Sequence, residues 1–193
     1  MSTADTADGY HHVAERYRQL ADRFDRVAAA VADDAWDNPS PCEGWTAADV
    51  VRHVADTERD LVARLGLADL AEPDPDLHPR EAWREVRPVV EALLDDPATA
   101  GHAYDGHFGP TTFAQTIDTF YSLDLLVHAW DLARAAGLAD LEAMPADEVT
   151  ACFEAMRPFS ETLRTPGVCG PELEPPAGAD EQTRFLAFLG RRV

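Results

Sequence analysis

The chain has 193 residues, enough for one domain with a sizeable core. Its 36 acidic against 16 basic side chains give a formal charge of −20, which repels phosphate backbones and anionic bilayers and so argues against nucleic-acid or membrane-surface binding. No apolar run has the length of a membrane span, and the start "MSTADTADGYHH" lacks the basic residues and apolar stretch of a signal peptide. Three cysteines, Cys42, Cys152 and Cys169, show no close pairing and fit a reduced, cytoplasmic setting better than a disulfide framework.

Residues 10 to 32 repeat apolar side chains at helical spacing through Val13, Tyr17, Leu20, Phe24, Val27 and Val31. The stretch "WDNPSPCEGW" that follows has two prolines and a glycine and reads as an ordered loop. Thr46, with Asp49 three residues on, has the pattern of a capping box and opens a helix running to about Gly66. After the polar link "AEPDPDLH", Pro79 suits the first position of a third helix that reaches about Asp95. The loop "DDPATAGHAYDGHFGP" has room for a short strand pair. A long helix is expected from about Thr111 to Ala136, stopped by Gly137. A further helix over about 146 to 163, a Pro/Gly-rich segment and a last short helix near 181 to 189 complete the chain. The pattern is all-α: a four-helix bundle with short additional helices, as a single domain over residues 1–193.

The long helix carries the chemistry. Asp124, His128 and Asp131 stand four and three residues apart, within roughly 60° of one another around a helix. In the first half of that helix Phe113, Ile117, Phe120 and Tyr121 share one side, with Gln115, Asp118 and Ser122 opposite. Projected along a straight helix, the aromatic side leads to the polar trio. The trio therefore either continues a buried stripe or forms the solvated face opposite Leu125, Leu126, Ala129, Leu132 and Ala133. A buried trio would point to a metal or a catalytic role, because an unpaired buried carboxylate is costly.

An Asp and a His four residues apart on a helix can bind one metal ion, as two histidines do in the helical zinc motif. Asp131, a turn further on, is placed to orient the imidazole from behind, or to pair with Arg134 or Arg52. A third ligand must come from elsewhere: His53 borders the apolar arc of the second helix, and His102 and His107, in the loop before the long helix, compete with it. His11, His12 and His78 occupy flexible or capping positions. Cys42 reads as a small buried residue in a tight loop or as a thiol near a helix start. Trp45, Tyr121 and Trp130 are either core or substrate-lining.

Three stretches, "PSPCEGWTAADVVRHVAD", "DLLVHAWDLARAAG" and "GPELEPPAGADEQTRFLAFLGRR", resemble small actinobacterial metal-binding proteins related to the N-terminal domain of mycothiol-dependent maleylpyruvate isomerase, in the DinB/YfiT-like superfamily. The resemblance runs from about residue 14 to the C-terminus. It implies a four-helix bundle around one divalent metal, usually zinc. By the motifs, His53 (eight residues after Trp45), Asp124 and His128 would be the ligands, with Asp124 where the isomerase has Glu. It also implies that the polar stripe faces inward. The isomerase has a separate C-terminal domain that contributes to its active site and that this chain has no length for, so activity on maleylpyruvate does not follow.

Two histidines and a carboxylate leave a zinc position open, as in catalytic sites. The expected function is a metal-dependent thiol S-transferase or isomerase that uses mycothiol on a small electrophile, in a monomer or homodimer. The alternatives are a metal-dependent hydrolase, in which the open position activates water, and a non-catalytic small-molecule or metal binder. The same donors also suit iron.

Overall fold

The computed structural model describes residues 3–165 and 168–193, with side chains from residue 8. Helix α1 spans Thr3–Ala30, α2 Ala47–Arg64 and α3 Pro79–Asp95. A helical turn, Pro97–Ala100, leads into an antiparallel hairpin of β1 (Ala103–Gly106) and β2 (Gly109–Thr112). Helix α4 starts as Phe113–Thr116, passes through a π-helical segment, Ile117–Tyr121, and continues as Ser122–Ala135. Two shorter helices, α5 (Ala146–Met156) and α6 (Glu181–Phe188), pack against each other through Phe153, whose ring lies 5.7 Å from that of Phe185.

The first four helices form the bundle. α1 packs on α3 and α4, and α2 packs on the same two, so α1 and α2 lie diagonally opposite. The core between them holds Tyr17, Phe24, Val50, Val54, Leu61, Trp83, Val86, Val90, Phe113, Ile117, Leu125 and Leu132, all almost fully buried. Burial of that many large side chains, at about 25 cal/mol per Å² of apolar surface, is the main force holding the helices together. Among the described residues, no helix is long and apolar enough to cross a membrane.

The ends of α2 and α4 are set by local chemistry. Thr46 accepts from the Asp49 amide at 3.2 Å and the Asp49 carboxylate accepts from the Thr46 amide at 2.8 Å, the reciprocal capping box expected there. Gly137, at φ +69°, turns the chain out of α4. Two boundaries differ from the sequence reading. α1 begins seven residues earlier than its apolar repeat. The helix expected over 146 to 163 stops at Met156, because Pro158 cannot continue it; a 3₁₀ turn, Arg157–Phe159, and the short Ser160–Leu163 helix follow.

The π segment corrects the straight-helix projection. A π turn holds one residue more than an α turn, so it shifts the phase of everything beyond it. Ser122, expected opposite the aromatic side, is fully buried, and its hydroxyl has no protein partner. Beyond the shift, nearly the whole circumference of α4 is covered. Leu125, Leu126, Ala129, Leu132 and Ala133 are buried, and so are His128 at 6% exposure and Asp131 at 0%. The two faces weighed in the sequence are therefore both largely interior, with Asp124 at the start of the polar stripe about one-third exposed.

Candidate metal centre

His53 on α2 and Asp124 and His128 on α4 meet where these two helices pack. Their ligand atoms all lie within 4.8 Å of one another. Nε2 of His53 is 4.0 Å from Oδ2 of Asp124, and the two imidazole centroids are 5.0 Å apart, edge to face. Zinc bonds of about 2.0–2.1 Å in a tetrahedron place donor atoms about 3.4 Å apart, so small side-chain rotations would close the triad on an ion. Two imidazoles and a carboxylate are a donor set that fits a divalent cation, and the residues fit the group that the motifs imply.

The loop before α2 walls this site. Gly44, at φ +79°, lets the chain double back, and Ser40 N–H donates to the Trp45 carbonyl at 2.8 Å. Trp45 is thereby held against both imidazoles, 4.7 Å from the His53 ring and stacked at 6.0 Å on the His128 ring. Tyr121, on the other side, donates from its hydroxyl to the Thr57 carbonyl, 3.2 Å away and one turn past His53. Trp130 has no exposed surface and belongs to the core, under the Arg134 guanidinium.

Behind His128 lies a buried polar network. Nδ1 of His128 is 2.9 Å from Oδ2 of Asp131; since a carboxylate only accepts, Nδ1 carries the proton and Nε2 is left for the triad. The same Oδ2 accepts from Nη2 of Arg191 at 3.1 Å and from the Cys42 thiol at 3.3 Å. Arg191 also reaches Cys42 Sγ at 3.4 Å and, more distantly, Cys169 Sγ at 4.0 Å. Asp131 thus takes the orienting role open to it in the sequence, and its ion pair is with Arg191. Arg134 instead pairs with Glu142, and Arg52 donates to the carbonyls of Pro75 and Leu77. Cys42, His128 and Asp131 also bring possible ligand atoms within 4.8 Å of one another. That second group already has its cation, the Arg191 guanidinium, whereas the His53 triad has none and is the group whose donors could hold a metal.

The electrostatics follow from these contacts. Burial, with His128 and Arg191 adding, pushes the His53 imidazole down to about 4, so it is neutral and free to donate its lone pair. Burial also works against charge on His128, but the hydrogen bond to Asp131 and the nearby carboxylates outweigh it and raise the imidazole to about 10. Burial raises the Asp124 carboxyl, opposed by His128 and Arg191. Asp131 is held below the usual carboxylate range: burial acts against it, and the bonds from His128 and Arg191 win.

The other histidines lie away from this centre. His11 and His12 are exposed on α1, His11 beside Glu15 at 3.4 Å, and His78 caps α3 by accepting from the Arg80 amide at 3.3 Å. His102 and His107 lie before and within the hairpin, outside both ligand groups. Arg191 was not singled out in the sequence reading, although it stands in the closing "LGRR" stretch that carried part of the resemblance. Glu58 was also passed over. It is buried on α2 at 1% exposure, where Oε2 accepts from the Tyr17 hydroxyl at 2.8 Å and Oε1 has no protein partner.

Asp131→Asn tests the network. Arg191 would lose its buried counter-charge, which costs about 3 kcal/mol of stability, and His128 would exchange a charged acceptor for a neutral one, which costs about 10- to 100-fold in metal affinity. Adding Arg191→Met should restore much of the stability and none of the affinity. Denaturant unfolding and metal titration of the single and double variants read the two effects separately.

Residues 17–179 match the family described as the mycothiol maleylpyruvate isomerase N-terminal domain. Two uncharacterized proteins of Mycobacterium tuberculosis, from strains CDC 1551 / Oshkosh and H37Rv, are each 27% identical to the chain over 179 residues, covering 92% of it and 96% of each relative. No solved structure matches it significantly. From Tyr17 in α1 to Ala179 just ahead of α6, across the bundle and both helices that carry His53 and His128, the chain belongs to the mycothiol maleylpyruvate isomerase N-terminal domain family.

Proposed function

We propose that the protein is a divalent-metal-dependent thiol transferase or isomerase, which uses mycothiol to act on a small electrophile. The observation that carries this reading is the convergence of His53, Asp124 and His128, with Nδ1 of His128 already committed to Asp131. Three protein donors leave a zinc ion one open position, the mark of a catalytic rather than a structural site. When bound, the metal would supply a positive charge that favours the thiolate form of an incoming thiol.

The chain's own residues do the rest. Asp131 and Arg191 fix the ring plane of His128, so the donor needs little reorganisation. Trp45 packs against both rings, tilted on His53 and stacked on His128, and so forms one wall of the site. Asp124 and His53, each about one-third exposed, open the site to small molecules. The family description, for a match that spans residues 17–179, supports mycothiol as the thiol.

The test is turnover of an electrophile by metal-loaded protein, with and without mycothiol and with the metal chelated. Turnover that requires both thiol and metal is the expected result. Consumption without thiol would make the protein a hydrolase. No consumption under any condition, with metal bound, would make it a binder.

A further inference from the structure

Three phenylalanines from separate elements meet at one edge of the bundle: Phe108 at the hairpin tip, Phe120 in the π segment of α4, and Phe159 after α5. Phe108 stacks on Phe120 with centroids 5.4 Å apart and planes 22° from parallel. Phe159 lies 5.0 Å from Phe108 and 6.3 Å from Phe120. A cluster serving only the core would be covered. Phe108 instead keeps 49% of its surface exposed, and the other two are half-buried.

The position of the cluster ties it to the donor triad. Phe120 lies near the end of the π segment, four residues before Asp124, and so about one helical turn from it. Its neighbour Tyr121 spans to α2 beside His53 through the Thr57 carbonyl. The aromatic surface therefore runs on from the triad along α4. Such a wall favours a planar group, because exposed ring faces stack with aromatic and conjugated systems.

We infer that Phe108, Phe120 and Phe159 form the binding wall for the electrophile, and that this substrate carries an aromatic or conjugated planar group. The inference rests on the thiol-transfer reading for the chemistry of the bound molecule, and on the aromatic cluster for its shape. Phe120 supplies the face nearest the reacting centre, Phe159 an edge, and Phe108 the outer cover.

A stable product analogue tests the wall without requiring turnover. The S-(2,4-dinitrophenyl) thioether of 2-mercaptoethanol is titrated into metal-loaded protein, with its S-ethyl counterpart as the aliphatic control, and binding is read calorimetrically. The aromatic thioether should bind at least about 10-fold more tightly than the aliphatic one. Phe108→Ser, at an exposed position that the fold does not depend on, and Phe159→Ala should each weaken it by about 3- to 10-fold with metal content unchanged. Equal affinity for the two thioethers, or unchanged affinity in both variants, would overturn the inference. So would a Phe108→Ser protein that changes sedimentation mass but not thioether affinity, since the patch would then be a contact between copies of the chain. Tight aromatic binding in a protein with no thiol-dependent turnover would leave the wall standing and remove only the transferase reading.

Discussion

His128→Ala should lower the metal content of the purified protein from about one equivalent per chain to none, while the helical circular dichroism stays close to that of the wild type. His128 is the residue through which the triad and the Asp131 network meet. Its Nδ1 is bonded to Asp131, and its other nitrogen faces His53 and Asp124. Two donors alone hold zinc far more weakly than three, so removing this one should empty the site at ordinary metal concentrations. The fold should survive, because Asp131 keeps Arg191 and Cys42 as partners and no buried charge is left unpaired. His107→Ala, at an exposed position on the hairpin, is the control and should retain its metal. Elemental analysis reads both, and full occupancy in His128→Ala would remove that residue from the coordination sphere.

The second large effect concerns Glu58. Burial raises its carboxyl from the usual 4.5 to about 8, with the Tyr17 hydroxyl opposing and Asp124 adding to the rise. A raised acid binds its proton more tightly in the folded state. Its contribution is therefore complete below the unfolded value and is lost as pH rises from about 4.5 to about 8. Across pH 5 to 8 the wild type should lose about 3 kcal/mol that Glu58→Gln does not lose. Glutamine keeps the acceptor for Tyr17 and cannot ionise. Its stability curve should run flatter and lie above the wild type near pH 8. Denaturant unfolding of both proteins in chelator separates this effect from metal binding; parallel curves would mean that Glu58 is ionised in the fold.

Much of this architecture was legible in the sequence where a local rule decides it. The Thr46–Asp49 capping box fixes where α2 starts, and with it the rotation that brings His53 toward α4. Gly137 stops α4 as expected, and Pro79 opens α3. What stayed hidden depends on contacts distant in sequence. Arg191 meets Asp131 across 60 residues, and Tyr17 meets Glu58 across 41, with no periodicity to announce either. The spacing of Asp124, His128 and Asp131 places them on one face but cannot say whether it is covered. The loop carrying Cys42 and the segment carrying Arg191 cover it.

The π turn at Ile117–Tyr121 gives this site an evolutionary fragility of an unusual kind. Such a turn is what a single inserted residue leaves behind in an α-helix. Losing one codon there would let the helix relax to regular winding and turn everything downstream by about 100°. Asp124, His128 and Asp131 would keep their spacing to one another and still fall out of register with His53. A lineage could therefore gain or discard the centre in one indel, with every ligand residue still spelled in the gene. Among relatives, intact motifs would then be insufficient evidence of a working centre, and the length of the segment between Phe113 and Asp124 would be the feature to read.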